Sequence, residues 1–202
     1  MLYCTHKLGN ERYLRVAPGW QTMSNVSGMS IASAEKEKCM HTAEYYIEKL
    51  HMEPHIEGGY FKECLLSNDF VPGMDSRNLW SSIYFLLQEN EVSNFHILES
   101  DEVWYFHDGQ PLTIYMISPE GVLSAPKLGL NIEKGELPQL VVPKGYIFGA
   151  AKEGEGYSLV GCMVAPCFKY EEFYLSDRQE LLEKYPQYRD VIMKLTRPFY
   201  KA

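Results

Sequence analysis

Between residues 60 and 166 the chain is a succession of short β-rich runs, each cut off by turn chemistry before it can grow long. "YFKECLL" (Tyr60–Leu66), "LWSSIYFLL" (Leu79–Leu87), "EVSNFHIL" (Glu91–Leu98) and "EVWYFH" (Glu102–His107) come first. "PLTIYMI" (Pro111–Ile117), "QLVVP" (Gln139–Pro143), "YIFGAA" (Tyr146–Ala151) and "YSLVGCMVAP" (Tyr157–Pro166) follow. Tight turns at Glu99-Ser100-Asp101 and Asp108-Gly109 separate neighbouring runs. No helical pattern alternates with these strands, so a parallel α/β sheet is excluded. An antiparallel sandwich or barrel is expected.

The flanks differ. Residues 1–40 carry Gly, Pro, Ser and Asn without sustained periodicity and read as an irregular N-terminal extension to a main domain at 41–202. Ala43, Tyr46, Ile47 and Leu50 recur at helical spacing, so Thr42–Leu50 reads as a short amphipathic helix. Pro54 and the Gly58-Gly59 pair then forbid helix in "MEPHIEGGYF". At the other end, Ser176 and Gln179 form a capping-box pattern ahead of Leu181, Leu182 and Tyr185. Pro186 suits the first turn of a second helix, with Val191, Ile192 and Leu195 on its buried side.

A formal charge of −8 disfavours nucleic acid, and residues 1–40, with five Lys/Arg and three Asp/Glu, leave the rest at −10. The five cysteines, Cys4, Cys39, Cys64, Cys162 and Cys167, are odd in number and form no Cys-x-x-Cys pair. They read as reduced thiols in a cytoplasmic compartment. No apolar run reaches the ~18–20 residues of a membrane span, and no secretory signal pattern opens the chain.

Chemistry concentrates in "NFHILESDEVWYFHDGQPL". His96, Leu98, Glu102 and Gly109 stand at the spacings of the motif G-x5-H-x-H-x(3,4)-E-x6-G. Pro143 and Gly145 match a second motif, G-x5-P-x-G-x2-H-x3-N, in which Phe148 replaces the His and Lys152 the Asn. The chain thus resembles the cupin superfamily. "LHMEPHIEGGYFKE", "SDEVWYFHDGQPL", "PQLVVPKG" and "YSLVGCMVAPCFKYEEFYL" resemble, more narrowly, a cupin family of unknown function with PHPEGG-Y-F and W-H-F-H-x-G-x-P-L signatures. Here Ile56 and Tyr105 depart from those signatures. The resemblance covers about residues 43–196. It implies an all-β cupin double-stranded β-helix (jelly-roll) barrel and a cytosolic homodimer.

A cupin metal site takes three His and one Glu. Leu98 and Phe148 cannot donate a lone pair, and strand alternation turns His107 away from Glu102. No metal and no cofactor is therefore expected. His96 beside Glu102 then reads as a general base or acid, its protonated form favoured by the carboxylate. Metal-free cupins such as the nucleotide-sugar epimerases of the rhamnose pathway pair a barrel His with a Tyr on the opposite wall. That resemblance implies His96 as base and Tyr84 as acid. Trp104, Phe106, Tyr84 and Phe148 suit an aromatic wall, and Gln139 offers an amide. Glu57 and Tyr60 stand either at the barrel mouth touching ligand or in a plain structural turn, with His55 assigned to the turn. A small polar, carbohydrate-like ligand is expected, bound by a metal-independent epimerase or isomerase. A non-catalytic binding or sensing cupin competes with it. A metal-dependent oxygenase would need a third protein ligand beside His96 and Glu102.

Overall fold

The structure, a computed structural model, describes residues 41–197; the extension assigned to residues 1–40 lies outside the described residues. Two antiparallel sheets face each other. One runs in the order β1 (Glu53–Pro54), β2 (Tyr60–Leu66), β5 (Ser81–Leu87), β13 (Ser158–Ala165), β7 (Asp101–Gly109), β11 (Gln139–Val142). The other runs β10 (Lys127–Leu128), β8 (Leu112–Ile117), β12 (Ile147–Lys152), β6 (Val92–Leu98), β14 (Phe173–Leu175), with β9 (Leu123–Ser124) paired to β8. A small hairpin, β3 (Phe70–Val71) and β4 (Met74–Asn78), stands apart from both. This is the all-β jelly-roll barrel of the cupins.

Side-chain alternation explains the layering. Along β5, Phe85 and Leu87 enter the inter-sheet core with Trp104, Ile114, Phe148 and Val160, while Leu86 turns outward. Leu86 and Leu159, paired across β5 and β13, bury against α1 (Ala43–Lys49). Thr42 caps α1 by accepting from the Tyr45 N–H. The second sheet has an apolar outer face too. Phe95, Ile117 and Ile147 pack there against Leu181, Tyr185, Ile192 and Leu195 of the C-terminal segment. Each such burial is worth about 1.5–3 kcal/mol, so helices at both ends of the chain cover the two outer faces.

The C-terminal segment is α2 (Arg178–Lys184), a 3-10 turn at Pro186–Tyr188, and α3 (Arg189–Lys194). Its cap differs from the sequence expectation. Asp177, one residue later than Ser176, accepts from the N–H groups of Gln179 and Glu180. Ser176 is still in extended chain, donating its N–H to the Phe95 carbonyl.

Candidate functional site

The hairpin between β1 and β2 delivers the site's acid. Glu53 and Pro54 pair with Phe61 and Tyr60, and the five residues between must turn back at once. His55 N–H donates to the Gly59 carbonyl, and Gly58 N–H to that of His55. Gly58 takes φ +112°, and a Cβ there would lie 2.2 Å from the Val92 carbonyl oxygen. A side chain is therefore excluded twice, by conformation and by space. The Glu57 carbonyl is held by Asn94, which donates from both its backbone N–H and its side-chain amide. The carboxylate is thereby turned into the barrel, where Glu57 is only 6% exposed.

Inside, Glu57 Oε1 accepts from the Ser93 hydroxyl at 2.9 Å. Its Oε2 stands 3.3 Å from His96 Nε2 and 3.6 Å from His55 Nδ1. His96 Nδ1 lies 2.7 Å from the Asn94 carbonyl. A carbonyl only accepts, so Nδ1 carries the hydrogen and Nε2 presents a lone pair to Glu57. The Glu57 N–H likewise points at His55 Nδ1, at 3.4 Å, and marks it as an acceptor. Two imidazole lone pairs thus converge on one carboxylate oxygen, an arrangement that calls for a proton between them.

Burial decides where that proton rests. It pushes His96 down to about 4, against the opposing Asn94 carbonyl. It also lowers His55 and raises Glu57. Both shifts favour a neutral imidazole beside a carboxyl that holds its proton more tightly than usual. This differs from the expectation that a neighbouring carboxylate would hold His96 protonated: for groups this buried, the cost of two charges exceeds their attraction. The partner is corrected as well. β6 and β7 follow one another in sequence but lie in opposite sheets, so His96 and Glu102 face the cavity from different walls.

Glu102 is pushed up to about 8, first by burial and then by the charge of Glu57; the Trp104 indole and Cys162 thiol pull weakly the other way. Neither Glu102 Oε2 nor Trp104 Nε1 has a hydrogen-bond partner, although both are buried. The Cys162 thiol beside them is raised far above its usual range by burial, and is inert.

The cavity has a volume of about 50 Å³. His55, Glu57, His96, Glu102 and Trp104 supply its buried polar groups, with Glu63 and Ser81 also on its lining, and Phe61, Ile83, Phe85, Leu98 and Val164 are apolar. Residues 166–173 close one side with Phe168, Tyr170 and Phe173. Tyr170 is 59% exposed and marks where cavity meets solvent. Arg77 holds this segment, pairing with both Glu172 carboxylate oxygens at 2.5 and 2.6 Å and donating to the Ser100 hydroxyl and the Cys167 carbonyl.

The expected residues divide. His96, Glu102, Trp104 and Glu57 meet in the cavity. Phe148 packs tilted against His96, ring centroids 4.0 Å apart, and Phe106 packs against the core without lining the cavity. Three others lie elsewhere. Tyr84 alternates to the outer face of β5, edge-on to His107 and among the residues around α1. Tyr60 packs on that same outer face. Gln139 is exposed on β11, paired with Tyr105. His55 belongs to the cavity as well as to the turn; its offset of two from Glu57, just before Gly58-Gly59, was the available signal. Phe168 and Phe173 had no spacing signal, because Phe168 lies on irregular chain and Phe173 opens the three-residue strand β14.

The metal set of metal-binding cupins does not fit here. Leu98 and Phe148 stand at two of its four positions, and among the described residues no three His, Cys, Asp or Glu side chains are arranged to hold a metal ion.

A family model described as "Cupin superfamily (DUF985)" matches residues 44–176. The crystal structure of protein SO0799 from Shewanella oneidensis is 53% identical, with a TM-score of 0.75, covering 79% of this chain and all of that one. A hypothetical protein from Leishmania major is 37% identical, with a TM-score of 0.71, over 77% of this chain and 99% of its own. An uncharacterized protein of Saccharomyces cerevisiae, YML079W, is 31% identical over 148 residues, 63% of this chain and 72% of that protein.

Proposed function

The chain belongs to this cupin family, DUF985, and from that premise we propose that it binds a small polar molecule inside the barrel and exchanges protons with it. One observation carries the reading. Two imidazoles and two carboxyls, from three elements, are buried around a single cavity, with buried donor and acceptor atoms left unused there. A purely structural core has no use for such an arrangement.

The chemistry follows from the protonation states. His96 presents its Nε2 lone pair, shared with the Glu57 carboxyl, from one sheet, and Glu102 a protonated carboxyl from the other. Environments that push a base and an acid apart in this way assign their roles: His96 removes a proton, and Glu102 returns one. Proton transfer at a carbon next to a carbonyl, hence isomerisation or epimerisation, is the matching reaction class. Glu102 takes the acid role first given to Tyr84, which lies on the outer face. A space of about 50 Å³ takes about four waters, so a sugar ring enters only if residues 166–173 move.

We place the protein in a reducing, cytosol-like compartment, in keeping with Cys64, Cys162 and Cys167 as free thiols. Among the described residues no helix is long and apolar enough to cross a membrane. We also propose a homodimer. Leu65, Leu66, Phe70 and Met74, each at least half exposed on β2 and the β3–β4 hairpin, offer a face for it.

The test is a mixed small-molecule screen read by NMR on the imidazole and indole signals, with native mass spectrometry of protein purified without chelator. A compound that shifts the Trp104 indole and His96 signals, and loses binding in His96→Ala, supports the reading. Incorporation of solvent deuterium into that compound supports the catalytic part. A folded protein in which nothing shifts those signals makes the cluster structural.

A further inference from the structure

The polar groups of the cavity are unequal in what they lack. Glu57 has a complete set of partners, with Ser93 on one oxygen and two imidazoles on the other. Glu102 and Trp104 do not. They sit two residues apart on the same face of β7, 6% and 1% exposed, each with a polar atom that meets no partner. Trp104 Nε1 is only ever a donor. What Glu102 offers is settled by charge. Glu57 and Glu102 share one cavity, and among the described residues no Lys or Arg lines it. Two carboxylates without a fixed cation do not both ionise in such a place. The Glu57 carboxyl has two imidazole acceptors for its proton, so Glu102, whose proton has none, is left as a second donor.

Two adjacent donors without acceptors, in a space sized for about four waters, call for a compact ligand with two acceptor oxygens. We propose that the cavity takes a short-chain carboxylic acid of two or three carbons, its carboxylate clamped by Glu102 and Trp104, and that each anion enters with one proton. This rests on the small-molecule pocket proposed above and names its ligand class. The proton follows from charge balance. Counting His55, Glu57, His96 and Glu102, the buried part of the empty site is neutral, with Glu63 exposed at its edge, and a carboxylate anion brings a negative charge that nothing fixed offsets. An imidazole lone pair beside Glu57, at His55 or His96, is where the compensating proton goes.

An amine is the opposite choice. It would need one of the two carboxyls to give up its proton and would leave the Trp104 N–H without an acceptor. Apolar lining from Phe61, Ile83 and Phe85 suits the short carbon chain at the other end of the molecule.

Titration of the full chain with sodium acetate, sodium propionate and methylammonium chloride tests this, by calorimetry in two buffers of different ionisation enthalpy and by the indole NMR signals. Trp104→Phe identifies the Trp104 signal among the three tryptophans. Expected is binding of acetate or propionate with uptake of about one proton. The dissociation constant should rise about tenfold per pH unit from pH 6 to 7.5. Trp104→Phe should weaken binding about tenfold, the worth of one hydrogen bond. Glu102→Gln, which keeps an N–H donor, should bind within a few-fold of wild type, and Glu102→Leu should not bind. Binding of methylammonium instead, or acid binding that ignores pH, overturns the acid clamp while the pocket itself stands. If none of the three probes moves the indole signal, the ligand class is wrong; if the mixed screen also moves nothing, the pocket reading fails with it.

Discussion

Glu57 Oε2 lies 3.3 Å from His96 Nε2, and the two side chains reach that contact from opposite sheets. Glu57 comes from the loop that joins β1 to β2, and His96 from the middle of β6. The pair is both the polar centre of the cavity and a tie between the two layers of the barrel.

Removing one side of the tie separates these roles. Glu57→Ala leaves the Ser93 hydroxyl and the lone pairs of His55 and His96 facing a void. It should cost about 1–3 kcal/mol in urea unfolding, the penalty for unsatisfied buried polar groups. Glu57→Gln keeps the shape and a donor toward His96 and should cost less than about 1 kcal/mol. Equal losses in the two variants would mean that packing, not hydrogen bonding, holds the pair.

Stability should depend on pH in a window set by opposed groups. Glu102, raised to about 8, keeps its proton in the fold after the unfolded chain has lost it. Its contribution is fully present below about pH 4.5 and is lost as pH rises to 8. His96, lowered to about 4, works the other way: its contribution is present above about 6.5 and lost as pH falls to 4. Glu57 acts with Glu102 and His55 with His96. Between pH 4.5 and 6.5 the opposed slopes offset one another. From 6.5 to 8 the carboxyl term stands alone, and stability should fall by at most about 1.4 kcal/mol per pH unit for Glu102. Chemical denaturation across this range should show the fall, and Glu102→Gln should flatten most of it.

Arg77 should govern how firmly residues 166–173 sit against the cavity. Its guanidinium is mostly buried and spends four contacts on Glu172, Ser100 and Cys167. Arg77→Ala should speed hydrogen exchange at the amides of residues 167–173 at least tenfold, with little change in the central strands β13 and β7. Uniform acceleration across the barrel would show instead that Arg77 supports the global fold.

Gly58→Ala should be among the most damaging single-carbon changes. It combines a φ of +112° with a clash against the Val92 carbonyl, and backbone cannot yield as a side chain does. A loss above about 2 kcal/mol is expected, read as a drop in melting temperature. Gly73→Ala is the control: φ is also positive there, but nothing lies within 4 Å.

The barrel was largely legible because strand alternation and turn residues are local signals. Even-offset residues of β7 fall together in the cavity, as Glu102 and Trp104 do, and the same rule sends His107 to Tyr84 on the far side. What did not follow was partnership across the molecule. The spacing placed His96 and Glu102 correctly in the barrel but was silent on which sheet each strand would join. His96 therefore received the wrong carboxylate, and Tyr84 the wrong face. The β3–β4 hairpin was missed too, because Phe70–Asn78 carries polar residues and Gly73 where an alternating pattern was sought. Segment 166–173 lay within a family-like stretch, but its place against the cavity did not follow, because Arg77, a residue far away in sequence, holds it there.

The loop from His55 to Gly59 carries a last consequence. It brings both an imidazole and the central carboxylate to a wall otherwise built from barrel strands, and it does so in five consecutive residues. The polar character of this cavity is thus modular. Exchanging that one loop would rewrite the acid–base chemistry at the end of the cavity while the jelly roll beneath it kept every strand pairing it now has.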